Sequence, residues 1–206
     1  MSRVIRYRTP SVAGFGAAGL AFVAIFLGSG AGLAADRPPL TGDMKDFVLA
    51  EPAKPVPPLG FTDLDGKALT LDAFRGKVVV LNLWATWCVP CIKEMPSLQR
   101  LSAKLRDKGV AVLALSQDRA GAKVVTPFLD KHALKTLPIY LDPKGAVLRA
   151  LSARGLPTTL VIDRDGREIG RLEGDAEWDG PHALALINHV ASQGSDNRPP
   201  LVKTGG

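Results

Sequence analysis

Cysteine is nearly missing from this chain: Cys88 and Cys91 are the only two in 206 residues. That excludes a small fold stapled by a disulfide framework, and within the monomer each cysteine has only the other to pair with. Histidine is as sparse, with His132, His182 and His189 alone. Tetrahedral zinc on the cysteine pair needs two further Cys or His ligands, and these histidines sit at the ends of helix-patterned segments, where surface roles are the default. No metal site is expected. The formal charge of +6 hints at nucleic acid, but Arg3, Arg6 and Arg8 precede an apolar stretch and belong to a targeting segment. The remainder is mildly basic, with Lys104, Arg106 and Lys108 scattered on a solvated helix face, so no nucleic-acid partner is expected. Internal repeats and long low-complexity stretches are also absent.

No charged residue occurs from Thr9 to Ala35, and Val12 to Leu27 is rich in Val, Ala, Leu, Phe and Ile. Residues 1–35 therefore read as an export segment. The apolar length approaches the roughly 20 residues that span a bilayer, while Gly32-Leu33-Ala34 and Ser29-Gly30-Ala31 offer small-residue cleavage patterns. The expectation is a single N-terminal anchor in the inner membrane, with a cleaved, soluble periplasmic form as the alternative. The three arginines hold the N-terminal end in the cytoplasm, so the rest faces the periplasm. No cysteine near residue 30 offers a lipid attachment site.

Residues 36–59 carry six prolines among polar residues and read as a linker, with an apolar patch at Met44, Phe47, Val48 and Leu49 compatible with one docked helical turn. Residues 193–206 are rich in Gly, Ser, Asn and Pro and read as a flexible tail. The domain between, residues 60–192, opens with two short strands, Gly60 to Thr62 and Ala68 to Leu71, about the Asp65-Gly66 turn. Val78 to Trp84 is an apolar run broken only by Asn82, the pattern of a central strand buried on both faces. From Pro90 to Lys108, Met95, Leu98, Leu101 and Leu105 fall at helical spacing, with Pro96 expected to kink the helix. Val110 to Leu115 follows as a strand, and the crossover makes a right-handed parallel βαβ unit. A helix over Val124 to His132, a short strand at Ile139 to Leu141, a hairpin of Thr158 to Ile162 with Glu168 to Leu172, and a last helix from Pro181 to Ser192 complete the order. The expected class is α/β: a mixed central sheet with helices on both faces and an N-terminal β-hairpin addition.

The cysteines lie where the central strand hands over to its helix, in Trp87-Cys88-Val89-Pro90-Cys91. In such a turn the first sulfur lies near unpaired backbone N–H groups and the positive end of the helix dipole, which lowers its pKa. Cys88 is the candidate nucleophile. Cys91, one turn deeper, is the candidate resolving thiol.

These residues resemble the thioredoxin superfamily, and within it the exported, membrane-tethered TlpA/ResA/CcmG-like thiol-disulfide oxidoreductases. The resemblance rests on Asn82 to Cys91, then Glu94 and Pro96, then Gly155-Leu156-Pro157-Thr158-Thr159 with Val161-Ile162-Asp163 and Gly166. The wording from Asn82 to Pro96 is most similar to the TlpA group. The resemblance implies a thioredoxin-like fold, a redox-active disulfide between Cys88 and Cys91 with no other cofactor, and a cis bond before Pro157. It implies that Leu156 and Pro157, with Trp87, Val89 and Pro90, border a protein substrate. An ordinary strand-leading proline is the alternative reading of Pro157. Glu94 matches the acidic residue that ResA-like proteins place near the thiols, where it handles a proton; a first-turn glutamate favoured by the helix dipole is the alternative. Asn82 stands where cytoplasmic thioredoxins carry a buried aspartate, which leaves Glu94 as the proton handler. Trp87 is expected to cover the thiols and Trp84 to pack.

The implied activity is protein-disulfide reduction by a monomer. Its clients would be copper-site assembly proteins of cytochrome oxidase or apocytochrome c. An oxidising compartment leaves the pair oxidised unless electrons arrive across the membrane, so a membrane thiol-reductant conduit is implied as partner. The rival is a Cu(I) carrier using both thiolates without catalysis, which would be expected to muster extra Met or His; only Met95 is close.

Overall fold

The computed structural model describes residues 37–193; the targeting segment at 1–35 and all but the first residue of the 193–206 tail lie outside the described residues. Eight strands form one sheet in the spatial order β1-β8-β7-β4-β5-β6-β2-β3. In chain order they are β1 (Val48–Pro55), β2 (Gly60–Asp63), β3 (Ala68–Thr70), β4 (Val78–Trp84), β5 (Val110–Ser116), β6 (Ile139–Leu141), β7 (Thr158–Ile162) and β8 (Arg167–Glu173). The helices are α1 (Val89–Leu105), α2 (Ala122–Lys131), α3 (Ala146–Ala150) and α4 (Pro181–Gln193). β4, β5 and β6 run parallel, while β7, β8, β1, β2 and β3 join antiparallel.

β4 organises the molecule because every one of its residues is buried. Strand side chains alternate between faces, so Val78, Val80 and Trp84 enter the core beneath α1, α2 and α4, while Val79, Leu81 and Leu83 enter a second core shared with α3. Asn82 has the parity of Val80 and Trp84, which points it at α1. That helix returns Cys91, Glu94, Met95, Leu98, Leu101 and Leu105 to the same face, at the three- and four-residue spacing of one helical stripe. The mixed sheet, helices on both faces and the β2–β3 hairpin match the thioredoxin-like expectation. α1 runs continuously through Pro96.

Two elements differ from the sequence reading. The stretch expected as a linker, 36–59, has the docked helical turn read from its apolar patch, a 3₁₀ turn at Gly42–Met44, but it also supplies the edge strand β1, which pairs with β8. Met44 and Phe47 are buried in the main core, and their burial docks the segment. Its prolines at 52 and 55 are tolerated because an outermost strand needs ladder donors on one side only. Gly170 of β8 makes the approach feasible: a Cβ there would lie 2.4 Å from the Val48 carbonyl oxygen and 2.4 Å from the Phe47 ring. The second difference is α3, five residues long and too short to carry a helical period. Asp142 sets its start by accepting from the N–H groups of Ala146 and Val147.

Candidate active site

Cys88 is the N-cap of α1, with extended backbone dihedrals, and its Sγ accepts from the Cys91 N–H at 3.4 Å. The sulfur therefore lies at the end of the helix where unpaired N–H groups and the dipole favour negative charge. The two cysteines form a disulfide with Cα atoms 5.2 Å apart. Cys88 retains 5% exposure and Cys91 none, so the helix stripe that builds the core also sequesters the second sulfur.

Two loops frame the turn. β7 pairs with β4 so that Thr158 opposes Leu83, which brings the cis Leu156–Pro157 bond beside the strand end from which the cysteine turn departs. On the other side Asp118, buried just past β5, accepts from Thr86 N–H at 2.9 Å, Thr86 Oγ1 at 2.7 Å and Ser116 Oγ at 2.8 Å. Asp118 thus pins the residue two before Cys88. Its signal in the sequence was position alone: an acidic residue directly after a buried parallel strand, the end at which α/β folds place their sites.

Glu94 lies one turn after Cys91 on the same face of α1 and is 2% exposed. Its Oε1 accepts from Asn82 Nδ2 at 2.7 Å, and its Oε2 accepts from Trp178 Nε1 at 2.8 Å and from Ala176 N–H at 3.2 Å. Asn82 Nδ2 also donates to Thr159 Oγ1 at 2.8 Å, while Asn82 Oδ1 has no partner. Loss of hydration pushes the Glu94 carboxyl up to about 7, against the three hydrogen bonds that favour the anion; the Asp175 carboxylate adds to the rise. A carboxyl poised there can hold or release a proton at neutral pH. The first-turn alternative does not hold, because Glu94 lies beyond the first turn of α1 and its carboxyl is enclosed by β4 and the loop before α4 instead of facing solvent. Trp178 escaped the sequence reading although the chain has only three tryptophans; a lone tryptophan between Gly174 and Gly180 in a polar loop was the available sign.

Trp84 is fully buried, as expected of packing. Trp87, expected to cover the thiols, is 69% exposed and stands at the rim with Val89 at 76%. Pro90 is exposed beside it, Pro157 is buried and Leu156 partly so. His132 ends α2 stacked on Phe128, with ring centroids 4.3 Å apart. Among the described residues no group of three or more His, Cys, Asp or Glu is arranged to hold a metal ion.

A helix-capping dithiol pair beside a cis-proline loop, on a sheet of this topology, defines a thioredoxin-like thiol-disulfide oxidoreductase. Comparison with known proteins agrees: residues 43–186 match the Redoxin family, and the chain belongs to it. It is 39% identical over 125 residues to the thiol-disulfide oxidoreductase ResA of Bacillus thuringiensis, covering 61% of this chain and 71% of that one. ResA of Geobacillus thermodenitrificans is 38% identical over 111 residues, 54% of this chain and 63% of its own. Among solved structures, a Chlorobium tepidum protein named for thiol:disulfide interchange, DsbE, superposes with a TM-score of 0.59 at 28% identity, covering 68% of this chain and 95% of that one. A secreted thiol-disulfide isomerase from Corynebacterium glutamicum shares the fold with a TM-score of 0.60 at 24% identity, over 75% of this chain and 97% of its own.

Proposed function

We propose that this oxidoreductase works as a reductant of selected protein disulfides, with Cys88 as nucleophile, Cys91 as resolving thiol and Glu94 as carrier of the Cys91 proton. In the reduced protein the Cys88 thiolate attacks one sulfur of a client disulfide. A Cys88–client bond forms, the client S–S bond breaks, and the departing client thiolate takes a proton from solvent. Cys91 then gives its proton to ionised Glu94, and its thiolate attacks Cys88 sulfur. The Cys88–Cys91 bond forms, and the second client thiolate leaves, recovering the proton from Glu94. Two electrons pass from the pair to the client. The observation that carries this reading is the carboxyl of Glu94, buried on the helical face of Cys91 and balanced near neutrality.

The setting is the periplasmic face of the inner membrane, with residues 1–35 as anchor and a membrane thiol-reductant conduit recharging the pair; tethering raises the effective concentration near such a conduit. Among the described residues no helix is long and apolar enough to cross a membrane. The clients in this proposal are copper-site assembly proteins of cytochrome oxidase or apocytochrome c. Trp87, Val89, Pro90, Leu156 and Pro157 would contact them. Replacing Cys91 by Ser removes the resolving thiol and should accumulate a Cys88-linked client that mass spectrometry can name. A client of either class supports the assignment; a Cys91→Ser protein that forms no mixed disulfide while Cys88 stays reduced overturns it.

A further inference from the structure

Beside the disulfide lies an open groove of about 460 Å³, with Trp87 and Leu156 on its wall and Gln117, Arg119, Lys144 and Arg149 around it. The three basic side chains belong to exposed residues, and none forms an ion pair among the described residues. This contrasts with Lys93, Arg100, Arg154 and Arg171, each of which is paired with a carboxylate. The acidic neighbours in sequence form no ion pair with these cations. Asp118 is occupied by Thr86 and Ser116, and Asp142 by the N–H groups that open α3. Arg149 Nη1 donates to the Lys144 carbonyl at 2.8 Å, which holds that guanidinium over the loop. Gly145 leaves the floor open: a Cβ there would come within 3.2 Å of Arg149 Nη1 and 3.9 Å of Gln117 Oε1. That Gln117 oxygen is buried and without a hydrogen-bond partner.

Three cations outside any ion pair, bordering an exposed tryptophan, form a surface complementary to an acidic polypeptide. We propose that this groove is the specificity site for the client, and that it takes an extended segment with Asp or Glu beside the target cysteine. The acidic side chains meet Arg119, Lys144 and Arg149. The proposal rests on the disulfide-exchange reading and adds the class of client to it.

The test uses the reduced full-length chain and three synthetic peptides that share one Cys-x-x-Cys disulfide and differ only in flanks of Asp, Ser or Lys. At low salt the Asp peptide should react roughly tenfold faster than the Lys peptide, the lower end of electrostatically steered rate gains. The advantage should shrink as NaCl is raised to about 0.5 M, where screening is strong. The double variant Arg119→Glu/Arg149→Glu should reverse the order, with its rate on the Ser peptide reporting that its fold is intact. Equal rates on the three peptides, or an Asp advantage that survives salt, overturn the proposal without need of any variant. Exchange with uncharged 2-hydroxyethyl disulfide separates the two levels: if it proceeds while the peptides react equally, the groove assignment alone falls; if it fails, both readings fall together.

Discussion

Replacing Glu94 by Gln should flatten one component of the pH dependence of stability. In the unfolded chain this carboxyl ionises at its ordinary value near 4.5, and in the fold burial raises it to about 7. Between those values the native state keeps a proton that the unfolded chain has released. The stability contributed by the neutral carboxyl is therefore complete below pH 4.5 and is lost as pH climbs through 7. A shift of that size corresponds to about 3 kcal/mol. Glutamine stays neutral throughout and is nearly isosteric with glutamate. Urea unfolding of the oxidised proteins, followed by circular dichroism at pH 4 and pH 8.5, gives the comparison. Other groups titrate alike in both proteins and drop out of the difference. The variant should gain about 3 kcal/mol on the wild type between the two pH values; a difference that stays constant with pH would refute the argument that burial governs this group.

Trp178→Phe keeps an aromatic ring in the core and removes the N–H that Glu94 Oε2 accepts at 2.8 Å. Loss of a hydrogen bond to a charged group costs about 2 kcal/mol in the anionic form alone, so the Glu94 titration, followed by NMR of a labelled carboxyl, should move upward by more than a unit. Asp118→Ala leaves Thr86 N–H, Thr86 Oγ1 and Ser116 Oγ without their acceptor. A loss of about 2–3 kcal/mol in urea unfolding is expected, with faster amide exchange at Thr86; an unchanged midpoint would show that the turn does not depend on this carboxylate.

The parts of this molecule that were legible in the sequence are those where one local pattern answers to one physical cause. The run from Val78 to Trp84 has no polar face to spare, so it had to be a central strand, and the α1 stripe from Met95 to Leu105 follows one helical period. The cysteine turn was readable because the strand before it and the helix after it locate a helix N-terminus. The misreadings came from long-range partners. β1 looks like a linker because its prolines argue against a strand, and only the missing side chain of Gly170 and the pocket for Phe47 make a place for it. Trp178 reaches Glu94 across 84 positions, and no spacing rule couples residues that far apart.

Alkylation of the reduced protein, with the two cysteines resolved by mass spectrometry across pH 5 to 10, bears most directly on the assignment of Cys88 as nucleophile and Cys91 as its protected partner. Cys88 should react with an apparent pKa well below the roughly 8.5 of a free thiol, and Cys91 at least tenfold more slowly at neutral pH. Equal rates at the two sulfurs, or faster modification of Cys91, would contradict the account.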